Sequence, residues 1–173
     1  MDLILNPGDV FFTRNPSAMG KAIRFIEALK AESGKSEYNH AGIIIDSKGT
    51  TFEALWHIEN QNFFEEYKGD DVAVYRYVNM TPDAFQKGYA AVLPDKGMLY
   101  PWWRLGLHLV GLSGFIHGQE GVCSEEAYKF AIGAGAPMMA GTHWYGVNPQ
   151  EMQTECAFSK YWTEVFKGNL TIN

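Results

Sequence analysis

A hairpin signature constrains this chain more than any other feature. The runs "HAGIIID" (residues 40–46) and "TTFEALW" (50–56) are β-branched and aromatic, and Asp46, Ser47, Lys48 and Gly49 join them with turn chemistry. A third run, "VAVYRY" (72–77), supplies a further strand, and "NPGDVFF" (6–12) reads as a turn leading into a short one. The core of the fold is therefore a set of antiparallel strands.

The flanks change period. In "SAMGKAIRFIEALKAES" (17–33), Ala22, Ile23, Ile26 and Leu29 recur at helical spacing, with Ser17 as cap and Gly34 as stop. Thr81 caps and Pro82 opens a helix over 81–93. The apolar stretch 99–116 reads as helical and is followed by a helix opened by "GVCSEEAYKF" (121–130). In "NPQEMQTECAFSKYWTEVF" (148–166), Asn148, Pro149 and Glu151 form a capping-box start. Helix, antiparallel strands, then helices is an α+β order, expected as one domain over residues 1–173.

Composition narrows the function classes. A formal net charge of −6 argues against a broad electrostatic hold on nucleic acid or an anionic membrane. Two distant cysteines make no disulfide scaffold, and metal-finger spacing is absent, so neither a metal nor a cofactor is expected. The start, "MDLILNPGDVFF", lacks the basic-then-apolar form of a signal peptide, which sets a cytoplasmic expectation. Residues 99–118 carry Arg104, His108 and His117, so they read as a buried helix or membrane-touching flap rather than a span.

The chemistry-bearing candidate is Cys123. Ala127, Phe130, Ala131 and Ala134 follow it at helical spacing, placing it on the apolar stripe with Glu125, Glu126 and Lys129 turned outward. A small buried hydrophobe is one reading. The other is a nucleophile, because unpaired N–H groups at a helix N-terminus favour a thiolate and can hold an oxyanion. The adjacent acids oppose a second negative charge. Cys156 lies mid-helix and reads as structural.

A nucleophilic cysteine needs a base, and the base needs an orienter. His108 and His117 fall in the apolar segment and His143 in a loop, whereas His40 opens a strand with Gly42 beside it. Glu53, flanked by apolar residues on the next strand, needs a partner if it points inward, and an imidazolium would serve. A tight turn at Lys48-Gly49 would set His57 opposite His40 and Glu53 near Ile44. On that register, contact between Glu53 and His40 requires twist or a bulge, and His57 is a rival orienter.

"HAGIIIDSKGTTFEA" resembles the histidine strand and following strand of the NlpC/p60 papain-like superfamily. The order His40, Glu53, Cys123, with "GDVFF" early and "VCSEEAYKF" late, is similar to its circularly permuted branch. That branch comprises the YiiX-like proteins and, more distantly, the lecithin-retinol acyltransferase group. The resemblance implies a permuted papain-like fold: a small antiparallel sheet or half-barrel packed on helices, with the nucleophile at a helix N-terminus. It implies Cys123 as nucleophile, His40 as general base and then acid, and Glu53 rather than His57 as orienter. Residues 81–118 match none of these motifs and are expected to be a subgroup insertion.

Three functions follow as expectations. The first is a cysteine peptidase or amidase working through a thioester on a cell-wall-type peptide or related amide, at a cytoplasmic site or in a phage or host-interaction setting. The second is lipid acyl hydrolysis or transfer, with Trp102 and Trp103 in the 99–118 segment making transient membrane-surface contact. The third is a catalytically silent binding module of the same fold.

Overall fold

The computed structural model describes residues 3–14, 37–55, 57–99, 123–139 and 147–171. The helix expected over 17–33, the segment 100–118, and His108, His117 and His143 lie outside the described residues.

Six strands form one sheet: β1 (Val10–Thr13), β2 (His40–Ile44), β3 (Thr51–Ala54), β4 (Ile58–Glu59), β5 (Asp71–Tyr77) and β6 (Trp162–Asn169). Their order is β4-β3-β2-β1-β5-β6, and every neighbouring pair is antiparallel. The described helices are α1 (Phe63–Glu66), α2 (Pro82–Val92), α3 (Cys123–Gly133) and α4 (Pro149–Phe158), with a 3-10 turn at Leu93–Asp95. This is the α+β class that the element order implied.

The caps form as the sequence predicts. Thr81 accepts a hydrogen bond from Ala84 N at 3.1 Å. Asn148 Oδ1 accepts from Glu151 N at 2.8 Å while Glu151 Oε2 accepts from Asn148 N at 3.0 Å, closing the capping box. The helix that starts there is shorter than expected, ending at Phe158, and Trp162–Asn169 forms the sheet's edge strand. Ser159, in extended conformation, breaks the helix, and the β-branched and aromatic residues of "WTEVF" then pair with β5.

Strand alternation divides the core between the two faces of the sheet. Val10, Phe12, Ala41, Ile43, Phe52, Ala73 and Tyr75 pack with Cys123, Ala127, Tyr128 and Phe130 of α3. Phe11, Ile44, Val72 and Val74 point the other way, onto Phe63 and Tyr67. Each fully buried aromatic ring contributes about 1.5–3 kcal/mol of transfer free energy, so both faces hold the sheet to its cover.

Two close approaches fix the arrangement. Helices α2 and α3 meet where a Cβ on Gly88 would lie 2.7 Å from the Phe130 carbonyl oxygen. Asp9, fully buried, binds Arg76 of β5 in a two-pronged ion pair, Nε to Oδ1 at 2.7 Å and an amino group to Oδ2 at 2.8 Å. The early Gly-Asp dipeptide thus clamps the entry of β1 onto β5.

The β2–β3 register departs from the simple hairpin. Ile43 faces Phe52 and Ile44 faces Thr51, two residues away from the pairing a tight Lys48-Gly49 turn would impose. The cause is a wider turn over residues 46–49. Asp46 Oδ1 accepts from Lys48 N at 2.9 Å and Thr50 N at 3.0 Å, and Oδ2 accepts from the Thr50 hydroxyl at 2.7 Å. Ile45 N donates to Thr50 O at 2.8 Å, and Gly49 takes φ +86°.

Candidate active site

His40 is the first residue of β2, and Cys123 is the first residue of α3. Both are buried, at 5% and 3% exposure, and Glu53 is buried at 1%. His40 Nε2 meets Glu53 Oε2 at 2.6 Å. Cys123 lies close enough to His40 for its charge to bear on the imidazole and raise its pKa. With Nε2 held by Glu53, Nδ1 is the ring nitrogen left for the sulfur. The three residues picked out from sequence therefore stand in series: carboxylate, imidazole, thiol.

The shifted register brings Glu53 to His40. One step beyond the Ile43–Phe52 pair, Glu53 lies beside Gly42, on the same face as His40 and diagonal to it. No bulge is needed, which corrects the expectation from a tight turn. His57 is exposed and bridges to Leu99, so it does not orient His40. Gly42 has a direct structural reason. A Cβ there would fall 2.5 Å from Phe11 Cε1 and 3.1 Å from the Glu53 Cβ. The Phe11 ring occupies that space and sets its edge against His40, centroids 6.2 Å apart.

Two residues that sequence reasoning missed complete the acid. The Thr51 hydroxyl donates to Glu53 Oε1 at 2.5 Å, and the Tyr67 hydroxyl donates to Oε2. Thr51 is legible in retrospect, since it shares the Glu53 face of β3 two residues away. Tyr67 follows the short helix α1 and gives no periodic signal.

Electrostatics favour the imidazolium. Burial alone would push His40 toward its neutral form. The charge and hydrogen bond of Cys123, then those of Glu53, outweigh it and hold the pKa near 10. Burial, followed by the charge and hydrogen bond of Glu53, raises the Tyr67 phenol well above its usual value, so it stays a donor.

Glu125 and Glu126 do not turn outward as helical spacing implied; both are buried, at 0% and 1% exposure. Helix α3 is covered on all sides over its first six residues, so its polar positions have no solvent face. Burial, followed by the charge of Asp95, pushes the Glu126 pKa up to about 8, against the opposing charge of Lys129. Lys129 pairs with Asp95 Oδ2. Cys156 is buried in α4, its thiol pushed upward by burial and then by Glu155, and both cysteines are free.

No protein-family description and no curated protein matches the chain. Among solved structures it is similar to the metalloprotein yiiX from Escherichia coli O157:H7, with a TM-score of 0.63 and 18% identity. The match covers 94% of this chain and 97% of that one. The fold is thus YiiX-like. That protein is described as a metalloprotein. Among the described residues no three His, Cys, Asp or Glu side chains converge as a metal site. Both Glu53 oxygens and His40 Nε2 are already engaged with one another, Thr51 and Tyr67. No helix among the described residues is long and apolar enough to cross a membrane.

Proposed function

We propose that this chain is a cysteine hydrolase of the permuted NlpC/p60 papain-like type, cleaving an amide or peptide bond through a thioester. The observation that carries the reading is the series Glu53–His40–Cys123 ending on the first residue of a helix. In this reading Cys123 Sγ attacks the substrate carbonyl carbon after His40 has taken the thiol proton. The oxyanion that forms is stabilised by backbone N–H groups at the start of α3. His40 then gives its proton to the leaving amine as the C–N bond breaks, leaving an acyl thioester. Water attacks the thioester with His40 as base, releasing the acid and restoring the thiol. Glu53 holds the ring with Nε2 turned away from the sulfur and stabilises the imidazolium between the two steps.

A peptide or amide substrate follows from the superfamily resemblance; the lipid acyl reading shares every step up to the leaving group. Offering peptidoglycan fragments and phospholipid micelles to the wild type and to Cys123→Ala separates them. An amine-releasing product made only by the wild type supports the amidase. A fatty acid or transferred acyl chain made only by the wild type moves the function to lipid chemistry. Identical behaviour of the two proteins on both substrates, together with ordinary thiol reactivity, would leave a binding module.

A further inference from the structure

The acid of the proposed site is held from three directions, and one of its partners belongs to none of the motifs that drew attention to the site. Tyr67 follows α1, the helical turn Phe63–Glu66, which Asn62 caps by accepting from Phe64 N at 3.0 Å and Glu65 N at 3.2 Å. The turn is pinned to the sheet by Phe63 N donating to Gly49 O at 2.8 Å. Its Phe63 ring sits 5.1 Å from that of Phe11, which also packs on Tyr67 at 5.1 Å. These contacts leave the Tyr67 ring fixed alongside His40, centroids 6.1 Å apart with planes 30° apart, and its hydroxyl on Glu53 Oε2.

We infer that Tyr67 is a positioning residue for the reaction, acting through Glu53, with Thr51 as its counterpart on the other carboxylate oxygen. This inference rests on the cysteine-hydrolase reading above. Glu53 Oε2 receives both His40 Nε2 and the Tyr67 hydroxyl, so the phenol fixes where that oxygen stands and hence the tilt of the ring that faces Cys123. Oε1 is held by Thr51, whose own hydroxyl is set by accepting from Gln61 N at 3.1 Å. A carboxylate with almost no exposure stays ionised only when hydrogen bonds replace its lost water. Tyr67 and Thr51 supply those bonds in addition to the imidazole. Without them the carboxylate is no longer fixed beside the ring, and the His40 imidazolium is held less firmly against Cys123.

The test is the pH dependence of Cys123 alkylation by iodoacetamide in wild type, Tyr67→Phe, Thr51→Val and His40→Ala. Removing one donor to the carboxylate is expected to move the acid limb of the rate profile up by about one pH unit. On that limb the Tyr67→Phe rate then falls roughly tenfold, while on the plateau above it the rate stays within about threefold of wild type. A phenol that merely filled space would leave the limb where it is, because Tyr67→Phe keeps the ring. Nitrogen-15 shifts of the His40 imidazole give a second readout independent of reactivity, with Nε2 expected to change in both variants. If Cys123 of the wild type reacts no faster than Cys156 and ignores His40→Ala, the hydrolase reading fails and this inference falls with it. If wild-type Cys123 is fast and dependent on His40, but both variants keep its acid limb and the His40 shifts, only the role of Tyr67 and Thr51 is overturned.

Discussion

Glu53 reaches His40 diagonally, from the position beside Gly42, and the 2.6 Å contact between them depends on a glycine between their side chains. Phe11 fills the space over that glycine and bears on the His40 ring. Backbone register, a missing side chain and an aromatic edge together place one imidazole.

Gly42→Ala therefore tests the geometry. Its methyl would collide with the Phe11 ring and crowd Glu53, and both lie in a packed interior with no room to yield. The expected outcome is a loss of about 1–3 kcal/mol in stability and a slower Cys123 alkylation at neutral pH. Equilibrium denaturation and the alkylation rate check the two parts. An unchanged rate would show that Phe11 does not fix the imidazole.

His40 should titrate near pH 10, and the shift should depend on Cys123. A histidine pKa raised above 6.5 contributes stability that is fully present below that value and is lost as pH rises toward 10. Imidazole NMR is expected to show His40 protonated through neutral pH in the wild type. In Cys123→Ala the midpoint should fall, because the charge and hydrogen bond of the thiol are gone and only Glu53 remains to offset burial. A midpoint that stays near 10 in Cys123→Ala would assign the whole shift to Glu53.

The buried Glu126 predicts a different pH dependence. Its pKa is raised from 4.5 to about 8, so the folded state holds a proton that the unfolded state releases. Stability should then fall as pH rises from 4.5 through 8. Among the described residues neither carboxyl oxygen accepts a hydrogen bond, and a proton on Glu126 would be shared with Asp95. Glu126→Gln removes the titration and is expected to stabilise the protein at about pH 8 by roughly 1–3 kcal/mol. Thermal melts of the two proteins at acid and mildly alkaline pH check this. Parallel curves would mean that Glu126 is already ionised in the fold.

The sequence carried the parts of this site that depend on residue type and local pattern. Strand runs at 40–46 and 50–54, the position of Cys123 at a helix start and the caps at Thr81 and Asn148 were all legible, because each is set by neighbours in the chain. The β2–β3 register was not, since it hinges on how many hydrogen bonds Asp46 makes within the turn. Strand β6 was hidden because Tyr161, Val165 and Phe166 also suit a continuing helix, and only pairing with β5 decides between the two. Tyr67 was invisible for a similar reason. Nothing local marks a tyrosine after a one-turn helix as the partner of a carboxylate 14 positions earlier. Glu125 and Glu126 misled because helical periodicity supposes a solvent face, which α3 lacks over its first turns.

The most direct test of the central claim is the reactivity of Cys123 toward iodoacetamide at about pH 6.5, followed by mass spectrometry of the two cysteine peptides. Cys123 is expected to be labelled at least about tenfold faster than Cys156, and His40→Ala to slow it by a similar factor. Slow labelling of both cysteines at equal rates, indifferent to His40→Ala, would contradict that claim.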